Sequence, residues 1–538
     1  MAPEPLPHGA HDADPLVRHR RPTGEVNWTA VFLGFGGMVL GQFMAVLDIQ
    51  IVAASLSQIQ AGIGATADEI SWVQTSYLLA EVVIIPLTAY LSKMWSTRTV
   101  YVWACGAFVV TSVMTGFSTS IETMILTRTM QGLAAGAMIP AAFATAMTVF
   151  PQERRVTANV VFGLVVTLAP TVGPTLGGHL TDALSWHWLF FINVPIGLVV
   201  MFLVSRYADF DRGDPRLGKG VDWVGLVLMT VALLSMQYVL EEGASEGWFD
   251  DELIVGLTIL ALVTGVSFIL RQLNYRQPIV SLKPFADRNF ALGAVMNFVA
   301  GAGLFGGTFI LPLFLGQVLR YSAAEVGTTM LVSGLVMFAM APVAGRMVRA
   351  LDARIPLVLG FGLTAYGIGL GSHVNADWGF WDFAVLQVFR GMGVMTAMIA
   401  ASQLSVSTLP ASMMKDASGL VNLLRNVGGA VGMALLTTVL SHQTAVHLGD
   451  LSAALTSANP AAQDLVQGFT SLMTQRGMAD PEGAANKALG MMLRREASVM
   501  GFADGFAFLA LACAAAAVLG IFAKPAKAAP VPAQAEGR

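Results

Sequence analysis

Of the 538 residues, 55% are hydrophobic and only 12% are charged, and mean hydropathy is +0.66. A soluble chain carries roughly 25% charged residues; half that share does not cover a water-facing surface, so the composition indicates an integral membrane protein. The net charge of −4 is spread along the chain and offers no basic stripe to nucleic acid, while Cys105 and Cys513 lie in apolar runs as small hydrophobes rather than as a disulfide or metal pair.

Residues 1–27 are polar and rich in Pro, His and Arg, without the apolar core and small-residue cleavage site of a signal peptide. A membrane-crossing helix needs about 20 mostly apolar residues. Fourteen such runs follow, at 28–56, 70–92, 98–118, 121–148, 156–180, 187–206, 221–240, 252–270, 290–318, 323–348, 355–373, 380–406, 416–441 and 501–523. Residues 524–538 have the composition of a disordered tail. Basic residues set the direction of crossing. With a cytoplasmic N-terminus, Arg18, Arg20, Arg21, Lys93, Arg98, Arg154, Arg155 and Lys415 fall inside, as do the basic clusters within 206–219, 271–288 and 346–354. The short outer loops carry only Arg320, and the long outer loop 442–500 escapes the rule. Both termini are therefore expected in the cytoplasm.

The chain also repeats itself. "IPLTAYLSKMWSTRTV" places Pro86, Lys93 and Arg98 at the spacing of Pro342, Arg349 and Arg354 in "APVAGRMVRALDARIPLV". Met124 to Arg128 matches Leu386 to Arg390. Two six-helix halves, 28–207 and 289–523, separated by two extra helices within 208–288, give that offset. Secondary transporters are built this way, with the binding site between halves near the midplane.

Asp48 and Glu81 are the acids set well inside these runs. A charge at the bilayer centre costs on the order of 2.5–3.5 kcal/mol on insertion scales, so each needs a cavity, a partner or a helix-packing contact. Asp48, in "FMAVLDIQIV", is the better candidate for binding a proton. Glu81, in "SYLLAEVVIIP", either keeps its proton in an apolar site or faces a cavity. Arg128, in "LTRTMQGLAAGAM", sits beside Gly132 and Gly136, a spacing that lets helices approach. There it either binds a carboxylate or pins helices, and Arg390 and Arg425 have the same two readings. Gln42, Gln74, Asn297 and Gln403 are candidate cavity polar groups or packing hydrogen bonds. With no phosphate-cradling G-x-x-x-x-G-K-[ST] loop, the expected energy source is an ion gradient rather than ATP. No catalytic, metal or cofactor site is expected.

"LAPTVGPTLGGHL", containing Gly173, Pro174, Gly177 and Gly178, resembles the antiporter motif of the major facilitator superfamily. "LTRTMQGLAAGAM" is similar to that family's span-4 arginine motif, and "AVLDIQIVAASL" and "WHWLFFINVPIG" resemble segments of its fourteen-helix drug:proton antiporters. The likeness runs from about Trp28 to Lys524 and is closer to the EmrB-like than the QacA-like type, because of the 442–500 loop. It implies an all-α membrane fold of fourteen transmembrane helices and proton-coupled export of amphipathic drugs across a bacterial inner membrane. It also implies a periplasmic membrane-fusion adaptor and an outer-membrane channel as partners. In the family the glycine–proline bend is held to seal the outer path against leak. Two departures stand out. Ala89, Lys93 and Ser96 occupy the places of a usual glycine, aspartate and glycine, and "AASLSQ" replaces a usual asparagine–proline continuation. A dedicated carrier of one metabolite and a transport-silent sensor remain as alternatives.

Overall fold

A computed structural model of the chain describes Leu16, His19 and residues 26–523 apart from 67–68, 455–459, 477 and 479. In chain order the helices are α1 (Trp28–Ala54), α2 (Leu56–Ile63), α3 (Trp72–Trp95), α4 (Thr97–Gly116), α5 (Ile121–Thr148) and α6 (Gln152–Ala183). There follow α7 (Trp188–Phe191), α8 (Asn193–Tyr207), α9 (Trp223–Glu242), α10 (Glu252–Asn274), α11 (Arg288–Gln317) and α12 (Ala323–Ala350). The last are α13 (Arg354–Leu370), α14 (Phe380–Val406), α15 (Met414–Ala454), α16 (Pro460–Gln475) and α17 (Pro481–Gly520). Lipid cannot hydrogen-bond the free N–H groups of a helix start. Side chains meet that need here: Ser96, Asp222, Asp251 and Asp287 each accept a backbone N–H three residues on, and Ser120 and Ser322 form capping boxes.

Among the described residues, thirteen helices are long and apolar enough to cross a membrane. The remaining expected span, 156–180, lies within the 32-residue α6, which runs between α1 and α12. Its helix is continuous through Pro170 and Pro174, whose side chains lie outside the described residues. The tails expected at 1–15 and 524–538 also lie outside them.

Helices α1, α3–α6 and α8 pack with one another, as do α11–α15 and α17; α9 and α10 pair together, with α9 against α3. One apolar cluster joins the two sets at the face where α1 begins and α17 ends, here called the terminal face. Met337, Ala341, Met395, Met398 and Leu420 lie in it beside Met147, Val160 and Phe162. Toward the opposite face the second set has its own cluster, including Ile310, Phe314, Leu436 and Phe506. The halves are thus packed together at the terminal face.

Segment 442–500, expected as a long loop with an amphipathic helix over Ala461 to Met473, has that helix as α16 and is otherwise more helical than expected. α15 continues to Ala454, α17 starts at Pro481, and α16 packs on α17. Polar residues signal water, which hydropathy equates with a loop, but helices also continue into water. His447 Nε2 and Gln443 Nε2 meet Asp504 Oδ2 at 2.8 and 3.2 Å, tying the hairpin together near its base.

Candidate functional site

Glycines decide where the first polar cluster forms. A Cβ at Gly132 would collide with the Tyr77 carbonyl, and one at Gly136 would lie 2.5 Å from the Glu81 carbonyl. The small residues therefore let α5 press against the α3 backbone. This contact carries Arg128 to within 3.1 Å of the Val73 carbonyl, which accepts its Nε–H, and lays the guanidinium 4.2 Å from the Tyr77 ring centre. Asp48, near the C-terminal end of α1, comes to meet it: Arg128 Nη1 donates to Asp48 Oδ2 at 2.5 Å, with both side chains fully buried.

Neutral groups complete the shell. Asp48 Oδ1 accepts from Asn193 Nδ2 at 2.7 Å and Gln131 Nε2 at 3.1 Å. Ser112 Oγ accepts from the same two amides, and Gln131 Oε1 accepts from Arg128 Nη1 at 2.8 Å. The carboxylate thus ties α1 to α5 and α8, Ser112 adds α4 through the two amides, and Val73 brings in α3. Sequence reasoning named Asp48 and Arg128 but missed Gln131, Asn193 and Ser112. Gln131 lies one turn after Arg128, and Asn193 lies within "WHWLFFINVPIG", where it opens α8; their spacing and position were the available signals.

Glu81 lies further along α3, is 5% exposed, and has no hydrogen bond or ion pair among the described residues. Arg390 and Arg425 also have no carboxylate partner among the described residues. Arg390 donates to Gln387 Oε1 at 2.8 Å and Ser333 Oγ at 3.0 Å. Arg425 Nη2 donates to Asn297 Oδ1 at 2.8 Å and Ser402 Oγ at 2.7 Å, so Asn297 serves helix packing among α11, α14 and α15. Among the described residues, Gln42 is wholly buried with both amide atoms unpaired and Gln403 has an unpaired Oε1; Gln74 is half-buried. On α6, a Cβ at Gly173 would collide with Gln50, and one at Gly177 would stand 2.8 Å from the Ile51 carbonyl, so both glycines set the α1–α6 approach; Gly178 is half-buried.

At the terminal face the departures seen in sequence acquire partners. Lys93 Nζ donates to Asp416 Oδ1 at 2.5 Å, from α3 to α15. Lys415 pairs with Asp211, whose carboxylate also accepts the N–H of Thr97 at the start of α4. Ser96 adopts φ 82°, in the region that favours glycine, while its hydroxyl caps α4.

The Major Facilitator Superfamily profile matches residues 38–433. The chain is 38% identical over 429 residues to the colistin resistance protein EmrB of Acinetobacter baumannii, covering 79% of this chain and 83% of that one. It is 30% identical over 489 residues to the multidrug export protein EmrB of Haemophilus influenzae, covering 90% and 94%. Among solved structures, the human organic anion transporter MFSD10 (TETRAN) matches with TM-score 0.54 and 11% identity, over 90% of this chain and 99% of that one. That last likeness concerns the fold.

Proposed function

This chain belongs to the major facilitator superfamily, a family of membrane transporters, and we propose that it exports amphipathic drugs from a bacterial cytoplasm in exchange for protons. The observation that carries this reading is the buried Asp48–Arg128 pair, with every other group on the carboxylate neutral. A proton on Asp48 cancels the charge that holds Arg128. Arg128 then retains the Val73 carbonyl and Gln131, and the tie among α1, α4, α5 and α8 weakens. Breaking one side of a buried pair costs about 3–5 kcal/mol. One proton crossing 100 mV and one pH unit carries about 3.7 kcal/mol. The two magnitudes match, so a proton can bias the exchange between conformations. Glu81, a buried carboxyl without a counter-ion, is the second candidate for proton traffic.

In this reading the terminal face is the cytoplasmic one, held shut by the Lys93–Asp416 and Lys415–Asp211 bridges. The α15–α17 hairpin then projects into the periplasm. Its exposed Leu465, Leu472, Met491 and Met492 offer an adaptable apolar surface to a membrane-fusion adaptor, itself joined to an outer-membrane channel. The names of the relatives favour a drug cargo. Drug susceptibility of cells with and without the protein, combined with drug-triggered proton release from vesicles, tests the export reading; resistance without proton movement refutes the coupling. Cysteine crosslinking at Leu465 and Leu472 tests the adaptor contact, and a hairpin deletion with unchanged resistance refutes it.

A further inference from the structure

Arg390 differs from its counterpart in having no carboxylate. It is 1% exposed, inside a membrane-spanning helix, and among the described residues its Nη1 has no acceptor, as Arg128 Nη2 has none. Its partners, Gln387 and Ser333, are neutral, and no carboxylate reaches it among the described residues. The helix facing it supplies glycine, and the guanidinium fills the space: a Cβ at Gly307 would stand 2.9 Å from Arg390 Nη1, so a side chain there would have to displace the end of Arg390. In the first half the corresponding guanidinium has Asp48 across from it. A buried guanidinium with a free donor is costly unless an anion meets it during the working cycle.

α11 is suited to admit one. Gly301, Gly303, Gly306 and Gly307 fall within seven residues, and glycine weakens a helix; the Arg425 carbonyl, Cys513 and Leu509 pack against the first three, and Gly307 faces Arg390. A bend or shift of α11 at Gly306–Gly307 would uncover the guanidinium from the side that its Nη1 faces.

We propose that Arg390 receives the anionic head group of a cargo, so that amphipathic sulfonates or carboxylates are a substrate class of this protein. The proposal rests on the export reading for its setting, but binding tests it separately from transport. The probes are anilinonaphthalene sulfonate, which stays anionic at working pH, and phenylnaphthylamine, the same ring system without the sulfonate. Both fluoresce on entering an apolar site. The full chain in lipid nanodiscs is titrated with each, against empty nanodiscs. The wild type is expected to bind both. Arg390→Gln should weaken the sulfonate about tenfold or more, the size of a charge-assisted hydrogen bond, and leave the neutral probe within about twofold. Gly307→Asp should produce the same selective loss by giving Arg390 an internal carboxylate, and it keeps the test alive if Arg390→Gln does not fold. Failure of the wild type to bind the sulfonate, equal weakening of both probes, or wild-type sulfonate binding in folded Gly307→Asp each overturns the proposal. Arg390-dependent binding without gradient-driven pumping of either probe would instead refute the export reading and leave this site standing.

Discussion

Two buried arginines meet the same physical problem in the two halves and receive different solutions. Arg128 has a carboxylate, three neighbouring amide and hydroxyl side chains and an aromatic face around it. Arg390 has one amide, one hydroxyl and no carboxylate, and among the described residues each guanidinium leaves one nitrogen unpaired, Nη2 of Arg128 and Nη1 of Arg390. The sequence repeat predicts equivalence and the structure supplies asymmetry: a compensated charge that a proton can disturb, and an uncompensated one that an anion can complete. On the proposed reading, that difference divides proton and cargo between the two halves.

The largest expected break of this contrast is Asp48→Ala. It leaves Arg128 buried and unpaired, so it should cost about 3–5 kcal/mol and abolish uphill transport. Arg390→Met removes a charge that has no counter-ion and should cost no more than about 1–2 kcal/mol, from the hydrogen bonds lost at Gln387 and Ser333. Unfolding of both variants in one detergent checks this; equal losses would erase the contrast. Gly173→Leu comes next. Overpacking against Gln50 should cost about 1–3 kcal/mol and lower drug export while the protein still inserts. Normal export by that variant would reduce the α1–α6 contact to simple packing.

A smaller effect lies at the α3–α4 turn, where Ser96 has positive φ; the matching turn before α13 has none among its described residues. Ser96→Gly should stabilise the protein by about 1 kcal/mol, since strain of this kind costs roughly 1–3 kcal/mol and glycine replaces a serine cap at a loss of a few tenths. A lower melting temperature would show that the cap outweighs the strain. The smallest effect belongs to the terminal-face bridge. Lys93→Asp or Asp416→Lys should each shift the closed population by about 0.5–1 kcal/mol, the scale of a part-exposed pair. The double exchange should restore it, as read from spin-label distances across that face. Additive shifts would show that the two residues do not act together.

Much of the fold was legible because lipid leaves few choices: apolar length, caps and basic residues specify helices and their order. The site was half legible. Asp48 and Arg128 are conspicuous because charge is expensive in a membrane, but nothing local says that they touch across 80 positions. Gln131, Asn193 and Ser112 were hidden because a polar neutral residue in a spanning helix is cheap enough to be ordinary. Lys93 looked like a departure from a pattern until Asp416, 323 positions away, supplied the opposite charge. In 442–500 the amphipathic pattern of Ala461 to Met473 announced α16, but the extensions of α15 and α17 were hidden because hydropathy reports solvent and not backbone conformation.

The central claim is that Asp48 couples the proton to the exchange of conformations. The most direct measurement compares wild type with Asp48→Asn in proteoliposomes carrying a pH gradient, reading proton flux when drug is added. Asparagine keeps an acceptor for Arg128 and cannot take up a proton. The account predicts drug-triggered proton flux in the wild type and none in Asp48→Asn, with drug still bound and still moving down its own gradient. Drug-triggered proton flux at the wild-type rate in a folded Asp48→Asn protein would contradict it.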